Sequence, residues 1–249
     1  MERFTGKVAV VTGAGSGLGR ATAMRLALEG AAVACMDVNL EAAQATVADI
    51  MNAKHRARPY HLNVADPTSV KAAVAAAVKD LGRPDVLVNC AGIGKFAHSH
   101  EMPYEDWTNI IAVNLTGTFL MSQAVLPYLL ETGGNIVNIA SNAALMGQPY
   151  SAAYCASKGG VVQLTKALAD EYLRRNVRVN AVAPGGINTP MQQHFRLPEG
   201  IERKAIYKLI SPLGNSQPDE VAALIAFIAS NEGRYMTGSI VSIDGGLTI

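Results

Sequence analysis

The sequence predicts an α/β fold in which a parallel β-sheet is covered by helices on both sides. Three observations predict it. Short β-type runs alternate with longer runs at helical spacing along all 249 residues. Several β-type runs are apolar almost throughout, as strands buried on both faces must be. Cap signals also stand where helices should begin. Asp66-Pro67 puts a cap residue before a proline at the first helical position, and Ser216 with Pro218 and Asp219-Glu220 does the same near the end of the chain.

The elements follow in order. Strands are expected at 7–12, 32–36, 58–62, 86–89, 135–140, 178–183 and 239–243, and helices near 17–29, 40–53, 67–81, 104–130, 153–175 and 218–230. No linker, low-complexity tract or repeat interrupts the pattern, so residues 1–249 read as one domain. In such sheets ligands sit outside the C-terminal strand ends, where the strand order reverses.

Composition narrows the function. Apolar residues make up 49% and charged residues 16%, enough to fill a large core. A formal net charge of +1 offers no concentrated basic face for nucleic acid or an anionic membrane. No apolar run reaches the length of a membrane span, and Met1-Glu2-Arg3-Phe4 leads straight into a strand-like segment, so neither an anchor nor a signal peptide is expected. Cys35, Cys90 and Cys155 lack metal-type spacing and fit reduced thiols of a cytoplasmic protein.

The first strand runs into Thr12-Gly13-Ala14-Gly15-Ser16-Gly17-Leu18-Gly19. Glycines at 13, 17 and 19 permit a tight turn, and the following helix offers free N–H groups and a positive dipole to a pyrophosphate. The spacing is Gly-x-x-x-Gly-x-Gly, so a plain tight turn stands as the alternative. Asp37 ends the second strand. A carboxylate there can accept both ribose hydroxyls of NAD and would repel the 2′-phosphate of NADP by roughly 1–4 kcal/mol. Ser16 and Val38 supply no cation to receive that phosphate. Asn63 and Val64, after the third strand, suit an adenine ring. Asn89, Ala91 and Gly92, at the end of the fourth, allow backbone to pass close to a ribose. Both segments could equally be ordinary turns.

Tyr154 and Lys158 stand four apart at the start of a helix and share a face. A tyrosine titrates near about 10, and a neighbouring ammonium stabilises its phenolate. Lowering that pKa by three units takes about 4 kcal/mol, within reach of two partly buried positive charges. Alone, the pair also describes a surface helix. Ser141 follows the fifth strand, where ligands gather, and its hydroxyl can hold a substrate oxygen beside Tyr154; it can also be a helix cap. Asn114 interrupts the long apolar helix and can hold a water for Lys158, or be a satisfied polar group.

Taken together, Thr12-Gly13-x-x-x-Gly17-x-Gly19, Asn89-x-Ala91-Gly92, Asn114, Ser141, Tyr154-x-x-x-Lys158 and Pro184-Gly185 resemble the short-chain dehydrogenase/reductase family in its single-domain form, over essentially the whole chain. The resemblance implies a Rossmann-type, doubly wound sheet of seven strands ordered 3-2-1-4-5-6-7. It implies Tyr154 as acid/base, Lys158 as its activator and ribose ligand, Ser141 as the group that polarises the substrate oxygen, and Asn114 as support for a proton relay. Pro184, Gly185 and Ile187 would line the nicotinamide pocket, and Thr189 would contact the cofactor. Asp37 resembles the acid that selects NAD, and a homotetramer is implied. Cys90, Asn63 and the extra Gly186 depart from the pattern without removing a catalytic group.

The expected function is therefore NAD-dependent oxidation or reduction of a small-molecule alcohol or ketone. A 3-oxoacyl-carrier-protein reductase, a sugar or polyol dehydrogenase and a non-catalytic NAD sensor are the alternatives. The segment from about 188 to 212 resembles the family's substrate loop. Its Arg196, Arg203, Lys204 and Lys208 could favour an anionic substrate, although Glu199 and Glu202 offset them. A pocket wall is expected from Ile93, Gly94, Ala143, Met146, Gln148, Tyr150, Met191 and the loop near 192–208, with Gln148 and Tyr150 able to bind hydroxyls. His98 and His100, without a third ligand, read as solvated rather than as a metal site.

Overall fold

The structure, a computed structural model, describes residues 2–194, 196–207 and 209–249. Seven parallel strands form one sheet in the order β3-β2-β1-β4-β5-β6-β7. They are β1 (Val8–Thr12), β2 (Ala32–Asp37), β3 (Ala57–His61), β4 (Val86–Asn89), β5 (Gly134–Ile139), β6 (Val177–Pro184) and β7 (Ile240–Ile243). All seven expected strands are present, displaced by at most a residue or two. The doubly wound architecture is as the sequence implied.

The period-two alternation of each strand builds two cores. From β1, Ala9 and Val11 face α1 (Gly17–Leu28), α2 (Leu40–Asn52) and α9 (Pro218–Ala229). Val8 and Val10 face the other layer, made by α3 (Pro67–Leu81), α5 (Gly117–Thr132) and α6 (Ala152–Glu171). Local signals set the helix ends. Asn39 accepts from Ala42 N at 3.0 Å and Asp66 from Thr68 N at 2.9 Å, each relieving an unpaired helix donor. The last helix is capped by Gln217, whose N–H donates to Glu220 at 2.7 Å. Ser216, the expected cap, instead bridges to Ile187 beside the cavity.

The expected helix 104–130 is three pieces: α4 (Tyr104–Ile111), a π-helical turn (Ala112–Thr116) and α5. Together they run 29 residues, with a window of mean hydropathy 1.4. This stretch is long and apolar enough to cross a membrane by length and composition, which the sequence reading did not anticipate. Here α5 packs on α3, β4 and β5 as a core helix. Two short helices, α7 (Pro190–His194) and α8 (Arg203–Tyr207), lie in the segment between β6 and α9 and were not expected.

Candidate active site

The strand order reverses between β1 and β4, and the Thr12 hydroxyl ties the two strand ends together there. It accepts from Cys90 N at 3.1 Å and from Ala91 N at 3.0 Å. A cavity of about 860 Å³ opens at these ends.

The glycine turn forms one wall. A Cβ on Gly13, whose φ is +66°, would meet Ala91 backbone at 3.0 Å, and one on Gly19 would lie 2.0 Å from Gly13 O. Only hydrogen leaves the backbone this close to its neighbours. Ser16 occupies the N-cap of α1, yet its side chain makes no capping bond. Its hydroxyl and the first N–H groups of α1 thus remain available to an anion. Asp37 stands across the turn. One carboxylate oxygen accepts from Gly15 N at 2.8 Å and the other from Asn39 N at 2.9 Å. The carboxylate is fixed in place while each oxygen keeps a lone pair for a sugar hydroxyl. Val38, Asn63, Val64, Ala91 and Gly92 continue the wall, with Leu18 beneath. The residues present fit a dinucleotide.

Asn89 does not join that wall. It is buried, and its amide donates to Asn138 at 2.8 Å and Ser122 at 3.3 Å, behind the cavity. The alternation that ends β4 turns its side chain into the α5–α6 layer, which leaves only its backbone at the strand end where a ribose is expected. Cys90, next in sequence, lines the cavity instead, and burial pushes its thiol up to about 12. All three cysteines are free.

At the other end, Ser141, Tyr154 and Lys158 converge. Ser141 begins a 3₁₀ turn (Asn142–Ala144) directly after β5, and α6 delivers Tyr154 and Lys158 from its first two turns. Tyr154 is hydrogen-bonded to Ser141. Lys158 Nζ lies 5.8 Å from the centre of the Tyr154 ring and donates to Ile139 O at 2.7 Å. Burial lowers the lysine from its ordinary 10.5 to about 8. Burial also pushes the Tyr154 phenol up, against the pull of the Ser141 hydrogen bond. Ser141 both caps the turn and lines the cavity: its oxygen accepts from Ala143 N at 3.1 Å while its hydroxyl donates to Asn142 Oδ1 at 3.0 Å.

Asn114 sits in the π turn, fully buried behind the cavity wall. Its side chain accepts from Ile93 N at 2.8 Å and donates to Ile93 O at 2.8 Å and Ser157 Oγ at 3.0 Å. It clamps the loop after β4 to α6 just beside Lys158. Pro184, Gly185, Ile187 and Thr189 line the cavity between the two ends.

Of the expected substrate wall, Ile93, Gln148 and Met191 line the cavity. Gly94, Ala143, Met146 and Tyr150 do not. Ala143 is buried under the 3₁₀ turn, and the Tyr150 hydroxyl accepts from Glu202 N at 2.9 Å on the overlying loop. Leu197 and Ile206 line the cavity from the loop near 192–208, as expected, whereas Phe96, Leu209, Ile210 and Asn142 were not foreseen. His98 bonds Glu199 O at 2.9 Å and stacks edge-on against Tyr150. Lys208 lies outside the described residues. Among the described residues no three His, Cys, Asp or Glu side chains converge as a metal site.

Comparison with known proteins gives this geometry a context. The sequence family described as enoyl-(acyl carrier protein) reductase matches residues 13–248. A 3-oxoacyl-[acyl-carrier-protein] reductase of Thermotoga maritima is 44% identical, covering 99% of this chain and 100% of its own. A D-threitol dehydrogenase of Mycolicibacterium smegmatis is 43% identical over 99% of this chain and 95% of its own. Among solved structures, a 3-ketoacyl-(acyl-carrier-protein) reductase from Brucella melitensis complexed with NADH superimposes with a TM-score of 0.90 at 35% identity, covering 98% of this chain and 99% of that one.

Proposed function

Because the chain belongs to the short-chain dehydrogenase/reductase family and is an oxidoreductase of CH–OH groups, we propose that it uses NAD, rather than NADP, to interconvert a secondary alcohol and a ketone. The observation that carries the reading is the Ser141–Tyr154–Lys158 cluster at one end of a cavity whose other end is fixed by Asp37. A nicotinamide bound between them would supply the hydride acceptor or donor. Ser141 holds the substrate oxygen, and Tyr154 takes or returns its proton at the phenolic oxygen. Lys158, while charged, stabilises the phenolate. Ile139 O holds the Lys158 ammonium, and Asn114 holds the neighbouring Ser157 on the same helix. Asp37 carries the NAD preference, since a 2′-phosphate would meet a pinned carboxylate with no cation supplied by Ser16 or Val38.

The free thiols agree with a reducing, cytoplasmic compartment. Exposed Trp107 and Phe119 on the α4–α5 stretch, with Phe227 and Ile249 at the chain's end, agree with two contact faces of a homotetramer. A 3-oxoacyl-carrier-protein reductase is the second reading, favoured by the Thermotoga relative. The experiment is a screen of NAD⁺ and NADP⁺ reduction over secondary alcohols, polyols and 3-hydroxyacyl thioesters. NAD⁺-dependent turnover of an alcohol or polyol supports the first reading. Turnover only of thioesters with NADP⁺ supports the second.

A further inference from the structure

The cavity that holds Tyr154 has much apolar lining and a few amides. Phe96, Leu197, Ile206, Leu209 and Ile210 supply hydrocarbon, while Asn142 and Gln148 supply polar atoms. Asn142 Oδ1 receives two protons: one from the Ser141 hydroxyl at 3.0 Å and one from Gln148 Nε2 at 3.2 Å. Asn142 is buried, so its oxygen loses free energy if either donor departs unreplaced.

Ser141 has one proton and two demands on it. To hold a substrate oxygen as a donor, it must turn that proton away from Asn142. Asn142 Oδ1 then keeps the Gln148 bond but loses its second donor. A substrate carrying a second hydroxyl on the carbon next to the reacting one restores it. Vicinal oxygens in a gauche arrangement lie about one hydrogen-bond length apart, roughly 2.8 Å, which matches the 3.0 Å between Ser141 Oγ and Asn142 Oδ1.

We infer that Asn142, held by Gln148, reads a second hydroxyl vicinal to the reacting carbinol, so that the substrate is a 1,2-diol (or, in reverse, a 2-hydroxyketone). The inference rests on the alcohol–ketone reading of the same site. Asn142 is then a specificity residue: it does not move the reacting proton but rewards the serine's change of partner. A simple alcohol leaves it short of one hydrogen bond, a difference of about tenfold in kcat/KM.

The test compares cyclohexanol with the stereoisomers of cyclohexane-1,2-diol as substrates for the NAD⁺-loaded protein. The preferred diol should exceed cyclohexanol in kcat/KM by about tenfold. That ratio should fall towards one in Asn142→Leu and in Gln148→Leu, and should persist in Asn142→Asp, which keeps the acceptor. NADH titration of each variant checks that the site still assembles, and Gln148→Leu decides should Asn142→Leu fail to fold. Equal use of both alcohols by the wild type, or a ratio unchanged in both leucine variants, overturns the inference while leaving the dehydrogenase reading intact. Oxidation of neither alcohol class, in this pair or in the wider screen, overturns both.

Discussion

In the proposed role Tyr154 must lose its proton before it can accept one from an alcohol, and its burial resists that loss. Alcohol oxidation should therefore rise with pH and ketone reduction should fall, which kcat/KM profiles in the two directions will show; parallel profiles would contradict the assignment. Lys158 carries a separate cost. Its pKa falls from 10.5 in the unfolded chain to about 8 in the folded one, so below pH 8 the folded protein bears the expense of a buried charge, about 3 kcal/mol. Between pH 8 and 10.5 the unfolded chain holds more protons, and this penalty fades as pH rises. Lys158→Met should consequently abolish activity yet raise the melting temperature of the cofactor-free protein at pH 7 by a few degrees. That gain, reduced by the lost bond to Ile139 O, should shrink towards pH 10. Asp37→Ser should narrow the gap between NADH and NADPH dissociation constants by about tenfold or more, read by direct titration. These residues were legible because each stands at a strand end or one helical turn from its partner. Gln148 was legible as part of the pocket wall, but Asn142 was harder to see, because its place comes from a hydrogen bond between two turns rather than from spacing along one element.

Among the elements, the strand–turn–helix unit at the N-terminus is the most sharply constrained. A methyl group on Gly19 would collide with Gly13 O, a backbone atom that cannot yield without opening the turn. Gly19→Ala should lower stability and eliminate detectable NADH binding together, as differential scanning calorimetry and fluorescence titration would show; unchanged binding would refute the packing argument. The glycine spacing made this unit readable in advance. The π turn around Asn114 was not, because apolar periodicity continues through it. What opens the helix there is a side chain that finds both backbone groups of Ile93 across the cavity wall. Asn89 shows a limit of motif spacing: it does not tell which way the side chain turns, and the alternation of β4 sends it to Asn138.

At the scale of the whole molecule, sheet order followed from the motif set, and the run of apolar strands accounts for cores on both faces. The segment between β6 and α9 was much less legible. It mixes charged and apolar residues without a sustained period, and its short α7 and α8 are shaped by the cavity they cover. The proposed homotetramer comes from the family resemblance. Exposed Trp107 and Phe119 give it a physical basis, and sedimentation should reveal four chains, with Phe119→Lys shifting the population to smaller species.

The central claim is that Tyr154 moves the proton of a reacting alcohol. Its most direct test is the turnover of Tyr154→Phe with NAD⁺ and the best alcohol of the screen, measured beside its NADH dissociation constant. The account predicts a fall in kcat of at least about a hundredfold with cofactor affinity nearly unchanged. Turnover close to that of the wild type would contradict it.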